Sequence, residues 1–362
     1  MGILEAVEIR HSPERVMEWF ARPGAFARLA PPWMPARLVR ESASLADGTA
    51  VLALPFGLLW AARHQPHGYL PGRRFEDRSA VVGLRSAPMG LFPWIHEHGF
   101  EPTPQGHTLM SDSLRTPIPP RLLRPMIRFR QRQVAWDLQR HADAEQAGAR
   151  SMVIALAAED GELSRALTAF LSTGGHRVIR LVHHAGTGHG ARQWHPHAPT
   201  PGLLQGCDAV IAWGADAEAS GLLVREAAHA GVSVAVLGEE HLPDAVWSPN
   251  PAASPPAPRV VHIRAGYVLG SGAAERGMLR RGTPARGAWI GLDDLVDVVH
   301  RCLWDAALRG TVLAAAPSSL PGAEMDPGLR STGHRFRYPE LSAALRHTLG
   351  RETQDQIPNA GG

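Results

Sequence analysis

From Ile3 to Ile9 apolar and polar residues alternate as in a half-buried strand, and Ser12-Pro13 then offers a cap and a first-turn proline for a short helix over Pro13 to Phe20. A second short helix follows around Ala25 to Leu29. From Ala36 to Thr116, apolar-rich segments are separated by turn signals at Asp47-Gly48, Pro71-Gly72 and Gln105-Gly106, which predicts a curved antiparallel sheet. Beyond Pro117, Pro119 and Pro120, the residues Leu123, Met126, Ile127, Val134 and Leu138 recur at helical spacing. A long helix is therefore expected over Arg121 to Ala147, closed by Gly148.

At Arg150 the pattern changes. Met152 to Leu156 is a short continuous apolar run, as a buried parallel strand requires. A helix over Glu162 to Ser172, a turn at Gly174-Gly175 and a strand over Arg177 to Val182 complete a βαβ unit. The alternation continues with strand Ala209 to Trp213, helix Ser220 to Ala230, strands Val232 to Leu237 and Val260 to Leu269, helix Asp293 to Asp305 and a last helix over Pro339 to Leu349. Where a crossover helix would run, Pro249, Pro251, Pro255, Pro256 and Pro258 predict an irregular loop.

The first half thus has the element order of a helix-grip fold, α+β, in which a sheet wraps a final helix and leaves an apolar cavity. The second reads as a truncated Rossmann-like α/β domain with a parallel sheet. A chain of 362 residues exceeds one core. The expected divisions are a ligand-binding domain over 1–148, a Rossmann-like domain over 149–320, a short helical segment over 321–351 and a disordered tail over 352–362.

Charge changes this picture little. The formal net charge is +3, but the basic residues are spread along the chain among acids, and no basic block points to nucleic acid. All 37 basic residues are arginine, so no mechanism needing a lysine amine is open. Cys207 and Cys302 follow no metal or redox spacing. Met1 to Arg10 lacks the look of a signal peptide, and no apolar run would span a bilayer, so a soluble cytoplasmic protein is expected.

Candidate chemistry lies in both halves. Period two sets Trp94, His96 and His98 on one strand face, and Trp60, Ala62 and His64 on another. If those faces line the cavity, it is apolar with a few orienting polar groups; the competing reading leaves the histidines on the solvent side. Arg130 interrupts the apolar stripe of the long helix, where it could meet an acidic ligand group or reach the edge. Asp112 and Arg115 read as a surface pair. His183, His184, His189, His195 and His197 crowd one loop without an acid or cysteine to complete a metal set, and read as solvated. No metal site is expected.

In the second half a dinucleotide needs glycines between the first strand and its helix. Ala158, Gly161 and Ser164 occupy those places, and Glu159, Asp160 and Glu162 surround the turn with carboxylates that would repel a diphosphate. The tyrosines are Tyr69, Tyr267 and Tyr338, and none is placed as a catalytic tyrosine one helical turn before a basic residue.

Several motifs carry a resemblance. In the first half they are Arg22-Pro23-Gly24-Ala25-Phe26, Arg28-Leu29, Pro31-Pro32-Trp33, the Trp94 to His98 strand, and Arg130-Gln131-Arg132-Gln133 followed by Asp137-Leu138 and His141. In the second they are Gly206 with Asp208-Ala209-Val210, the segment Val261 to Leu269, Trp289-Ile290 with Asp293-Asp294, and Gly333 to Pro339. On these the chain resembles fusions of a cyclase/dehydrase-like START (SRPBCC) domain with an atypical epimerase-family short-chain dehydrogenase and its small C-terminal domain.

The resemblance implies an NAD(P)-binding ancestor, with Gly161, Leu163, His183 and Gly214 at the vestigial cofactor positions. The lost glycines and lysine disfavour NAD(P). The expected function is binding of a hydrophobic or amphipathic small molecule by the first domain, through Trp60, His64, Trp94, His96, His98 and Arg130, with the second domain a scaffold or pseudoenzyme and no catalytic residues. The alternative is an NAD(P)-dependent oxidoreductase or epimerase acting on that ligand. A homodimer is left open.

Overall fold

A computed structural model describes residues 2–184, 190–240, 258–270, 287–320 and 325–350. The loop residue His189, the prolines at 249, 251, 255 and 256, and the tail expected over 352–362 lie outside the described residues. The chain is a mixed α/β protein that divides into two compact units, one dominated by residues up to Ala142 and the other by residues from Asp143 to Thr348.

The first unit is built on a seven-stranded antiparallel sheet in the order β1-β7-β6-β5-β4-β3-β2. Its strands are β1 (Gly2–Ile9), β2 (Arg37–Arg40), β3 (Thr49–Ala53), β4 (Leu59–His64), β5 (Arg74–Ser79), β6 (Ile95–Pro102) and β7 (Thr108–Arg115). Helices α1 (Pro13–Ala21) and α2 (Ala25–Arg28) follow β1, α3 (Ala87–Gly90) lies between β5 and β6, and α4 (Pro120–Gln146) follows β7. The α1 start is as the pattern predicts: Ser12 accepts the Arg15 N–H through its side chain, and Pro13 opens the first turn.

The apolar stripe of α4 closes over the sheet. Leu123, Met126 and Ile127 pack with Ile3, Trp94 and Leu114, while Val134 and Leu138 pack with Phe75, Phe100 and Met110. Arg28 is buried against α4, where its guanidinium donates two 2.8 Å bonds to the Asp137 carboxylate.

The second unit is built on a seven-stranded parallel sheet in the order β10-β9-β8-β11-β12-β13-β16. Its elements are β8 (Val153–Ala158), α5 (Glu162–Thr173), β9 (Arg177–Val182), β10 (Ala191–Gln193), β11 (Ala209–Trp213), α6 (Ala217–Ala230), β12 (Val234–Glu240), β13 (Arg259–Ala265), α7 (Leu292–Trp304) and β16 (Gly310–Ala314). Along β8, Ile154 and Leu156 face one core while Ala155 and Ala157 face another, so the sheet is covered on both sides. Leu163, Leu167 and Phe170 of α5 and Val299 of α7 cover the first face, and Leu223 and Ala227 of α6 the second. This is a Rossmann-like layering.

The single strand expected over Val260 to Leu269 is instead two. It breaks at Gly266, and Tyr267–Leu269 (β14) leaves the main sheet to pair with Trp289–Gly291 (β15). The reason is a close crossing: a Cβ on Gly266 would lie 2.6 Å from the backbone of Ala288. Strands β10, β15 and β16 and helix α3 had no counterpart in the pattern, being three to five residues long. At the C-terminal side α8 (Pro327–Ser331) and α9 (Leu341–Thr348) belong to this same unit, with Tyr338 and Ala344 packed against Leu269 and Trp289.

Candidate functional site

In the first unit a cavity lies between the inner face of the sheet and helices α1, α2 and α4. Counted out through its solvent-filled mouth it measures about 660 Å³. Trp60, His64, Trp94, His96, His98 and Arg130, the six residues singled out by strand period and by their place on α4, all line it. The histidines therefore point inward: His96 is 1 % and His98 5 % exposed. Trp60 and Trp94 meet edge to face at 5.5 Å and form an apolar wall, and Phe75 stacks on His98 at 4.3 Å. Glu41, also in the lining, accepts the backbone N–H groups of Gly24 and Phe26 at 2.8 and 2.7 Å, which ties the start of α2 to the segment after β2.

Cross-strand register assembles the polar wall. Asp77 on β5 lies opposite His96 on β6, and His98 lies opposite Asp112 on β7, so all four side chains share the inner face. Asp112 Oδ1 is 3.1 Å from His96 Nε2 and 3.0 Å from His98 Nδ1. The second of these contacts is close but poorly aligned for a hydrogen bond. On the opposite side Asp77 Oδ2 is 3.6 Å from His96 Nδ1 and 3.7 Å from His98 Nε2. The remaining carboxylate oxygens have neutral partners: Trp94 Nε1 donates to Asp77 Oδ1 at 3.0 Å, and Gln131 Nε2 donates to Asp112 Oδ2 at 2.7 Å. Asp112 is thus no surface residue paired with Arg115; it is 2 % exposed, while Arg115 is exposed.

The electrostatics follow from burial and from this ring of alternating groups. Burial alone would raise the Asp112 carboxyl, but the hydrogen bond from His96 and the close imidazole of His98 outweigh it and hold it well below the usual carboxylate range. Asp77 is lowered in the same way, against its burial, by the facing imidazoles. Burial lowers His96, helped by the charge of His98; for His98 the two carboxylates outweigh burial and raise it. Arg130 is half-buried, donates from Nε to the Leu29 carbonyl at 3.2 Å, and is pulled down by burial against the attraction of Asp112 and Asp77. Asp77, His96 and His98 offer ligand atoms within 4.8 Å of one another, a donor set that period two in single strands did not reveal.

In the second unit the sheet order β9-β8-β11 brings the ends of three strands together, with His183 after β9, Gly161 before α5 and Gly214 after β11. The Gly161 N–H is taken by Ser164 Oγ at 3.1 Å, and the Gly214 N–H by the Gly238 carbonyl at 2.9 Å. Leu163 turns its side chain into the core, and His183 is exposed with its ring 5.8 Å from Trp194. Glu159, Asp160 and Glu162 are all exposed around the turn, and the Glu162 carboxylate lies against Gly270. The ring of Trp213 lies over Gly238 on the neighbouring strand. Tyr338 is engaged elsewhere, its hydroxyl 2.7 Å from His347 Nδ1. Of the loop histidines, His197 is exposed, 3.8 Å from Asp216 and 3.6 Å from Glu218.

No helix among the described residues is long and apolar enough to cross a membrane. No protein-family model matches the chain, and no curated protein sequence does. Among solved structures, the chain is similar to the nucleoside-diphosphate sugar epimerase from Corynebacterium glutamicum: 27% identity, a TM-score of 0.83, 98% of this chain and 91% of that one. The human epimerase family protein SDR39U1, solved with NADPH, aligns with 55% of this chain at 20% identity and a TM-score of 0.42. Protein CV1439 from Chromobacterium violaceum aligns with 37% at 19% identity and a TM-score of 0.27. The last two likenesses are too low to bear on function, whereas the first extends an epimerase-like architecture over nearly the whole chain.

Proposed function

We propose that the first unit is a START-like (SRPBCC) helix-grip module that holds a small amphipathic molecule, and that the Rossmann-like unit serves as its scaffold without nucleotide chemistry of its own. One observation carries this reading: a cavity in the first unit lined by the aromatic rings of Trp60, Phe75 and Trp94 and by a polar cluster at Asp77, His96 and His98, with Glu41, Ser42, His64 and Arg130 also in its lining. Such a division orients a ligand by its polar end and holds the rest by apolar contact. Native mass spectrometry of the full chain from its own host should reveal a co-purifying small molecule. His96→Ala or Arg130→Ala should reduce its retention. A chain that carries nothing, or two variants that retain it unchanged, would remove the reading.

A second reading, an NAD(P)-dependent epimerase or oxidoreductase acting on a ligand held by the first unit, is favoured by the likeness to the Corynebacterium glutamicum enzyme. Against it stand the three exposed carboxylates around Gly161 and a sequence with no lysine. Titration of NADPH into the full chain separates the two. The first reading expects no micromolar binding, and micromolar affinity would reverse the order.

A further inference from the structure

We propose that Asp77, His96 and His98 form a binding site for one divalent first-row transition-metal ion, of the zinc or ferrous type, in the wall of the first unit's cavity. The inference goes beyond the ligand-binding reading and holds whether or not an organic molecule occupies the cavity.

The distances carry it. Asp77 Oδ2 lies 3.6 Å from His96 Nδ1 and 3.7 Å from His98 Nε2, too far for hydrogen bonds. They suit neighbouring ligands on one metal: bonds of about 2.0–2.2 Å set tetrahedral ligand atoms about 3.3–3.6 Å apart. The donor types agree, since two imidazoles and one carboxylate favour such ions over magnesium or calcium, which prefer oxygen alone.

The surroundings are those of a supported site. Asp112 Oδ1 sits 3.1 and 3.0 Å from the outer ring nitrogens, His96 Nε2 and His98 Nδ1, where one carboxylate faces both imidazoles from behind. Gln131 holds Asp112 from the helix side, and Trp94 occupies the other oxygen of Asp77, leaving Oδ2 for the ion. With both imidazoles neutral, the two carboxylates balance a dication. All three ligands stand on adjacent strands, β5 and β6, so packing and ladder hydrogen bonds fix their spacing. Three protein ligands leave a coordination position open, and the cavity those residues line is where it would face.

The test uses the tag-free full-length chain. Metal-stripped protein titrated with Zn²⁺ in a calorimeter should take up one equivalent with a rise in melting temperature, whereas Ca²⁺ should have no effect. Co²⁺ should give the visible absorption of a nitrogen- and oxygen-ligated site. Asp77→Asn keeps the side-chain shape and should weaken Zn²⁺ binding at least about 100-fold, and Asp112→Asn, behind the ligands, about 10-fold to 100-fold. His98→Gln serves if Asp77→Asn does not fold, which far-ultraviolet circular dichroism reports. A folded wild-type chain that takes up neither Zn²⁺ nor Co²⁺ overturns the proposal. So does uptake that is undiminished in the folded variants, because it would belong to the surface histidines.

Discussion

On the carboxylate of Asp112, which is 2 % exposed, two imidazoles and a glutamine amide converge, with Arg130 near enough to attract it. Its pKa in the folded protein lies far below the value of about 3.9 expected unfolded, so its stabilising effect is present above that pH and is lost as pH falls. Asp77, also lowered, acts in the same direction. His96, lowered too, loses stability as pH falls below about 6.5, whereas His98, raised, contributes below about 6.5 and loses as pH rises through its folded value. Metal-free protein should therefore melt at steadily lower temperature below about pH 4, and Asp112→Asn should lower the melting temperature near neutrality while flattening that acid slope. Parallel melting curves for the two proteins would show that the carboxylate charge does not matter there. Strand period sufficed to place Trp60, His64, Trp94, His96 and His98 on common faces. It could not supply Asp77 or Asp112, because their union with the histidines depends on which residue lies opposite which across β5, β6 and β7, and register is written in no single strand.

Whole elements were legible where the pattern was long and locally determined. Strands β9 and β11 have the bounds their apolar runs predict, and α4 starts one residue before the expected position and ends one residue before it. The failures are short or tertiary in origin. The break at Gly266 exists because the backbone at Ala288 passes beside it, a contact made with a segment more than twenty residues away. Asp294 on α7 is a similar long-range device. Buried at the start of the helix, it accepts the N–H groups of Arg337 and Tyr338 at 2.5 and 3.1 Å and so fastens the segment that leads into α9. Burial raises its pKa to about 7 against those two bonds, with Asp297 and Asp293 adding to the rise. Because the folded value exceeds the unfolded one, the folded state holds the proton more tightly, and stability is lost as pH climbs from about 4 through about 7. Asp294→Asn should flatten that loss while keeping an acceptor, and Asp294→Ala should cost about 1–3 kcal/mol by stranding two buried N–H groups. Urea midpoints at pH 5 and pH 8 measure both effects. An alanine variant as stable as the wild type would mean that the segment is held by its apolar contacts alone.

For the whole molecule, the similarity to the Corynebacterium glutamicum epimerase covers nearly the full length, so the chain shares that protein's fold. On our proposal, dinucleotide binding turns on something narrower, the field at one turn. The β8–α5 corner offers the partial positive end of a twelve-residue helix, which by itself would attract a diphosphate. Glu159, Asp160 and Glu162 oppose that attraction with three exposed carboxylates, and Ser164 already accepts the Gly161 N–H. If charge is the obstacle, Glu159→Gln with Asp160→Asn should tighten NADPH binding to the full chain by about tenfold at low ionic strength, equivalent to about 1.4 kcal/mol. The gain should shrink as salt is added, since exposed charges are screened over about 8–10 Å near physiological ionic strength. Calorimetry at two salt concentrations reads both quantities. A tightening that survives high salt would point to altered contacts instead of altered field, and no tightening at low salt would place the obstacle in the shape of the corner, with Trp213 over Gly238 as the next position to change.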